Sequence, residues 1–216
     1  MLATTKLNDQ WTIQYGLTAG SDVALWTSER EITPIVGIRW VSKSGNDSIY
    51  ACTISNSGKF SYNNVQMLPD VVWTHKVNDK VHMLTEAYYC YQWNVPEFTA
   101  FGKNNEAFTQ SGYMRWYGVS NYFEVELNKK TYLTIRNEGV NDEQGQRTGF
   151  KTWYSSHTLG LVHKPKDWLI LRPELKYSHS YSGNAYNQPD SFITGSRGPG
   201  TRSSQFEATF DVIFRF

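Results

Sequence analysis

The chain has 216 residues, with 21 Lys and Arg against 20 Asp and Glu and a formal net charge of +1. That balance, without any basic cluster, gives no electrostatic case for nucleic acid. Hydrophobic residues make up 39% and aromatic residues 15%, including 14 Tyr and 8 Trp, so the excess lies in rings; no run approaches the roughly 20 apolar residues of a membrane-spanning helix.

Helix signals are almost missing, and strand signals recur throughout. About ten strands are expected, over 10–18, 33–42, 48–55, 65–77, 81–93, 113–127, 131–140, 155–163, 168–178 and 205–216. Residues 1–6 precede a short turn and sit where an upstream strand would end. Residues 1–10 lack the basic start and apolar middle of a secretory leader. The connections alternate between two kinds. Leu7–Asp9, Lys43–Asp47, Asn78–Lys80, Asn128–Lys130 and Lys164–Asp167 have tight-turn compositions. The stretches 19–32, 56–64, 94–112, 141–154 and 179–204 are long and polar. Short turn plus strand repeats as a hairpin unit. Short turns on one rim and long loops on the other are the pattern of an up-and-down transmembrane β-barrel, with turns in the periplasm and loops outside.

Alternation within strands tests that pattern, because a Lys or Arg facing lipid at mid-height costs about 2–4 kcal/mol. Trp11, Ile13, Tyr15 and Leu17 share one face, opposite Thr12, Gln14 and Gly16. Val36, Ile38 and Trp40 oppose Gly37 and Arg39, and Leu133 and Ile135 oppose Arg136 and Glu138. Leu169, Leu171, Pro173, Leu175 and Tyr177 oppose Arg172, Glu174 and Lys176. At the C-terminus, Phe206, Phe210, Val212 and Phe214 oppose Glu207, Thr209 and Asp211. Three places fit less well. Arg115 falls on the outward parity unless a bulge near Gly118 resets it. Glu86 points inward only together with Leu84. Pro69 and Pro173 lie inside strands, where Pro is normally confined to edges or bulges. Trp11, Trp40 and Trp168 lie near short turns, and Tyr91, Trp93, Trp116, Tyr117, Trp153 and Tyr177 near long loops, as two aromatic girdles. An aromatic-rich soluble β-sandwich is the competing explanation.

The segment 135–180 carries Arg136 and Glu138 closing a strand, Asp142 to Gly149 with Arg147-Thr148-Gly149, Leu159-Gly160-Leu161, and Trp168 through Arg172-Pro173-Glu174 to Tyr177. In these pieces the chain resembles the OmpL-like β-barrel porin family. The resemblance implies an all-β outer-membrane barrel and a terminal Phe216 read by the barrel-assembly machinery. Members of that family are longer, so the chain, a single barrel domain over 1–216, is expected to be the C-terminal part of a larger barrel. About eight strands enclose little more than side chains, whereas about 16–18 enclose an aqueous channel.

No catalytic motif occurs, and Asp142 and Glu143 fall short of the six to eight ligands a hard cation needs. The expectation is therefore no enzyme, no cofactor and no metal. Cys52 and Cys90 lie a whole strand apart, beyond disulfide reach. The candidate pore-lining residues are the inward charges and the glycine between them: Arg39, Glu86, Arg136, Glu138, Gly160, Arg172, Glu174 and Lys176. They could discriminate solutes by charge, as charged rings do in channels, or form a lumen network that pairs acids with bases without selecting. The function expected is an outer-membrane porin passing small hydrophilic solutes or ions. The competing one is a narrow closed barrel whose loops bind or hydrolyse something at the cell surface. Expected partners are outer-membrane lipid and the solutes themselves; self-association stays open.

Overall fold

The short turns are closed by one repeated device. Asn8 Oδ1 accepts backbone N–H bonds from Gln10 and Trp11, both at 2.9 Å, and Asn78 Oδ1 does the same for Lys80 at 2.9 Å and Val81 at 3.0 Å. Asn128 takes Lys130 at 3.0 Å. A short amide side chain thus replaces the missing backbone partner at the reversal. Beside two of these turns, Lys6 and Lys76 bond Asp9 and Asp79 and hold their carboxyls below the usual carboxylate range.

A computed structural model describes residues 1–18, 32–55, 65–188 and 199–215. Its strands are β1 (Leu2–Lys6), β2 (Trp11–Thr18), β3 (Thr33–Val41), β4 (Asp47–Ser55), β5 (Val65–Lys76), β6 (Val81–Phe101), β7 (Ala107–Asn128), β8 (Thr131–Asp142), β9 (Thr152–Lys166), β10 (Leu169–Ser180) and β11 (Ser204–Phe214). They form one 11-stranded sheet in sequence order, and every adjacent pair is antiparallel. The expected strands are β2 to β11, and residues 2–6 supply β1, paired from Leu2↔Gly16 to Lys6↔Thr12. Among the described residues β1 and β11 each pair on one side only, so the sheet is open. The loops at 19–31, 56–64 and 189–198, and Phe216, lie outside the described residues.

Apolar side chains do not meet a second layer across the sheet. Leu17, Val36, Leu159, Leu175, Phe206, Phe210 and Phe214 are all exposed, Phe206 by 66%. Register places them on one continuous face, as in Ile13↔Ile38↔Ala51↔Val71 and Ile135↔Leu159↔Leu175↔Ala208. A soluble sandwich would bury this face.

The difficult positions resolve individually. Pro69 falls in a register break between Met67 and Asp70, which frees it from the ladder. Pro173 pairs with Phe210 on β11, while the break on the β9 side lies between Leu169 and Leu171. Glu86 and Leu84 do share the inner face, opposite Ser120 and Tyr122. The expected bulge at Gly118 is absent, since pairing runs unbroken from Val81↔Val125 to Gln92↔Met114. Gly118 instead makes room for a ring: a Cβ there would lie 2.8 Å from the Tyr88 hydroxyl. Arg115 keeps the outward parity but sits at the loop end, where it bonds Glu143 and Gln144.

The largest departure is 94–112, expected as a loop. It is a continuation of β6 and β7 that turns through a single 3-10 turn, Lys103–Asn105. Positive φ at Asn94 (55°) and Gly112 (86°), with register shifts between Gln92 and Phe98, bend this hairpin away from the wall. Its tip packs on the loop after β8: the Phe101 and Phe150 rings are 5.4 Å apart, and Phe101 N–H donates to Gly149 C=O at 2.9 Å. Ala100, Met114 and Phe150 are 0–1% exposed. The dry core therefore sits at the loop end of the sheet.

A charge pair of substitutions tests which face meets lipid. Leu159→Lys should destabilise folding into vesicles by about 2–4 kcal/mol in a urea titration, whereas Thr209→Lys, on the opposite face beside Glu174, should change it little.

Candidate lumen site

The charged residues expected inside all lie on the inner face, and the register sets which of them meet. Arg39, Glu86 and Glu138 share one row, running Arg39↔Tyr50↔Val72↔Glu86↔Ser120↔Glu138↔Ser156↔Ser178. The next row is Leu84↔Tyr122↔Arg136↔Thr158↔Lys176↔Glu207, and the next runs Thr134↔Gly160↔Glu174↔Thr209. At about 4.8 Å between strands, Arg136 and Lys176 are two strands apart, with Glu138 diagonal to the first.

Arg136 Nε lies 3.3 Å from Glu138 Oε2, which also accepts from Ser156 Oγ at 2.6 Å. The Arg136 guanidinium reaches Thr158 Oγ1 at 3.5 Å. Arg172 turns the other way, onto Asp211 of β11 at 2.6 Å. It therefore does not join the Arg136 group. Arg39 stays apart as well and donates to Ser48 Oγ at 3.1 Å. Gly160 has a packing reason: a Cβ would stand 2.6 Å from Thr134 Oγ1 and 3.1 Å from Glu174 Cγ. A concavity of about 360 Å³ opens beside the cluster, lined by Glu138, Ser156, Lys176, Ser178, Tyr186 and Glu207.

Several inner-face residues are found only in the structure. Asp70 stands opposite Tyr88, diagonal to Glu86, so Asp70, Glu86 and Glu138 form an acidic lobe beside the basic one. Asp70 escapes a parity count because the break at Pro69 precedes it. Asp211 and Glu207, on the polar parity of the last strand, gain their meaning from pairing with β10. Trp116, expected in the outer girdle, faces inward and is 7% exposed, with the Arg147 guanidinium 5.1 Å above its ring.

Arg147 belongs to the loop after β8, which folds over the inner face. Asp142, fully buried, anchors that loop by accepting N–H bonds from Gln146 (3.0 Å), Arg147 (2.9 Å) and Thr148 (2.8 Å). Tyr154, on the inner face, donates to Thr148 Oγ1 at 2.8 Å. Asn105 of the hairpin tip accepts from Asn184 N–H at 2.7 Å. Together these segments cover the inner wall at the loop end and leave the charged rows below them open. Cys52 and Cys90 are free thiols. Among the described residues no cluster of His, Cys, Asp and Glu could hold a metal ion.

The whole chain, residues 1–216, matches the family model described as "Putative beta-barrel porin-2, OmpL-like". The chain belongs to this porin family. No curated protein matches it. Among solved structures it is similar to the anion-selective porin from Comamonas acidovorans, with a TM-score of 0.68 at 9% identity. The match covers 100% of this chain and 58% of that one, so the chain spans little more than half the porin's length. It is also similar to the NanC porin, with a TM-score of 0.50 at 9% identity, covering 100% of this chain and 91% of that one. At such identity the likeness concerns the fold. Family and fold together place this OmpL-like chain in the outer membrane, as a channel rather than an enzyme.

Adding one methyl at Gly160 tests the packing of the lumen wall. Gly160→Ala should lower stability by about 1–3 kcal/mol through overpacking, and Thr134→Ala in the same chain should recover most of it, read as the urea midpoint of folding into vesicles.

Proposed function

We propose that this sheet is the larger part of a barrel wall through which small hydrophilic solutes or ions diffuse passively. One observation carries the reading: charges and hydroxyls occupy one face over successive rows, while the opposite face is apolar and exposed. Water on one side and hydrocarbon on the other is the environment such a wall requires. Support for a wider barrel comes from the two edges, β1 and β11, which have backbone groups left to pair, and from the length relative to the Comamonas porin. Further strands joining these edges would enclose an aqueous lumen. The short turns then face the periplasm and the hairpin of β6 and β7 the outside, because elaborated loops occur on the extracellular rim.

In this reading Arg136, Glu138, Glu174 and Lys176 line the channel with Glu86 and Asp70, and Arg39 and Arg172 lie at its flanks. Charges of both signs let a hydrated solute exchange water for side-chain partners without a deep trap. Phe216 and the apolar outward residues of β11 form the segment offered to the assembly machinery.

Removing one base tests the lining role. Arg136→Ala leaves Glu138 without its guanidinium, so reversal potentials in planar bilayers under a salt gradient should shift toward cation selectivity. Arg172→Ala should shift them in the same direction by exposing Asp211. Unchanged potentials in both variants would mean that the pairs serve only the wall.

A further inference from the structure

One region of the outer wall departs from the rest. On β2 to β4 and β10 to β11 the outward positions are mostly apolar or aromatic, as at Ile13, Val36, Ile38, Leu171, Phe210 and Val212. On β6 to β9 the register instead aligns Thr85, Asn121, Asn137 and His157 in a single row on that same face. Asn137 follows the first residue of β8, Thr131, by six positions, and lies four short of Asn141, which pairs with Trp153 and Tyr117. At about 3.4 Å per residue and a tilt near 40°, the amide stands ~16 Å above the turn and ~10 Å below the aromatic ring. It is inside the apolar band.

The next row toward the loops is Ala87, Val119, Gly139 and Ser155. A Cβ at Gly139 would meet only Val119 Cγ1, at 3.9 Å. The surface above the amides is flat and open, as at helix contacts in membranes, where small residues let backbones approach closely. Within the polar row, Asn121 Nδ2 donates to Thr85 Oγ1 at 2.7 Å, and Asn137 Oδ1 lies 2.8 Å from His157 Nδ1. These bonds leave Asn121 Oδ1, Asn137 Nδ2 and His157 Nε2 for a further partner. Acyl chains offer none.

We propose that this patch of β6 to β9 is the contact face for a second copy of this chain. A water-soluble partner does not reach this depth, so the partner is another membrane wall. The patch carries both an amide donor and an amide acceptor and no carboxylate or ammonium, which makes it complementary to itself across a two-fold axis. The inference rests on the reading that the outer wall faces lipid.

The test compares the full-length protein folded in detergent with two variants, Asn121→Leu/Asn137→Leu and Gly139→Trp, by light scattering at matched protein-to-detergent ratios. The parent protein should associate, and each variant should do so about tenfold more weakly, while keeping the gel-mobility shift on boiling and the single-channel conductance. A folded parent that stays monomeric, with the patch covered by lipid alone, overturns the interface and leaves the barrel standing. Association that neither variant weakens overturns it too. A parent protein without any mobility shift overturns the lipid-facing reading itself and the interface with it.

Discussion

Where one side of a wall faces hydrocarbon, its backbone N–H and C=O groups have no solvent to turn to and must pair within the sheet. This constraint organises the molecule. It explains why 11 strands follow one another in order, each paired with its chain neighbour, and why irregularities are placed rather than scattered. Pro69, which has no N–H, sits in a register break. The strong bend at Asn94 and Gly112 comes only where β6 and β7 have passed the aromatic ring formed by Tyr89, Tyr91, Tyr113 and Tyr117.

The same ladder makes side chains alternate between two solvents, and the consequences differ on each side. Outside, cross-strand neighbours pack ring on ring or aliphatic on aliphatic, as Trp168 stacks on Phe214 with centroids 6.1 Å apart. Inside, charges find partners at register distance: Arg136 with Glu138 two residues on, Arg172 with Asp211 directly across. Such pairs in a wet lumen add little stability. Their importance lies in the electrostatic surface they present, an acidic lobe of Asp70, Glu86 and Glu138 beside the bases Arg136 and Lys176.

Burial is segregated as well. A packed core of the usual kind appears only where the β6–β7 hairpin meets the loop after β8, around Ala100, Phe101, Met114 and Phe150. The Asp142 carboxylate holds that loop from below and brings Arg147 over Trp116. The mouth of the wall is thus built from segments that are far apart in sequence, joined by contacts such as Asn105 to Asn184.

Sequence alone determined the strands, their order and the facing of nearly every side chain, because a two-residue period and Asn-rich turns are local properties that any reader of the chain can count. Arg39, Glu86, Arg136, Glu138, Arg172, Glu174 and Lys176 were legible as inward for that reason, and so was the room left by Gly160. Tertiary structure decided what parity cannot carry: that Arg172 serves Asp211 and not the Arg136 cluster, that Trp116 lies under Arg147, that Asp70 joins the acids after a break in register, and that 94–112 is a folded hairpin. Each of these depends on which residues of distant strands share a row or a loop contact. Pairing across the sheet and closure over its rim are set by long-range packing, and a strand's own alternation holds no record of them.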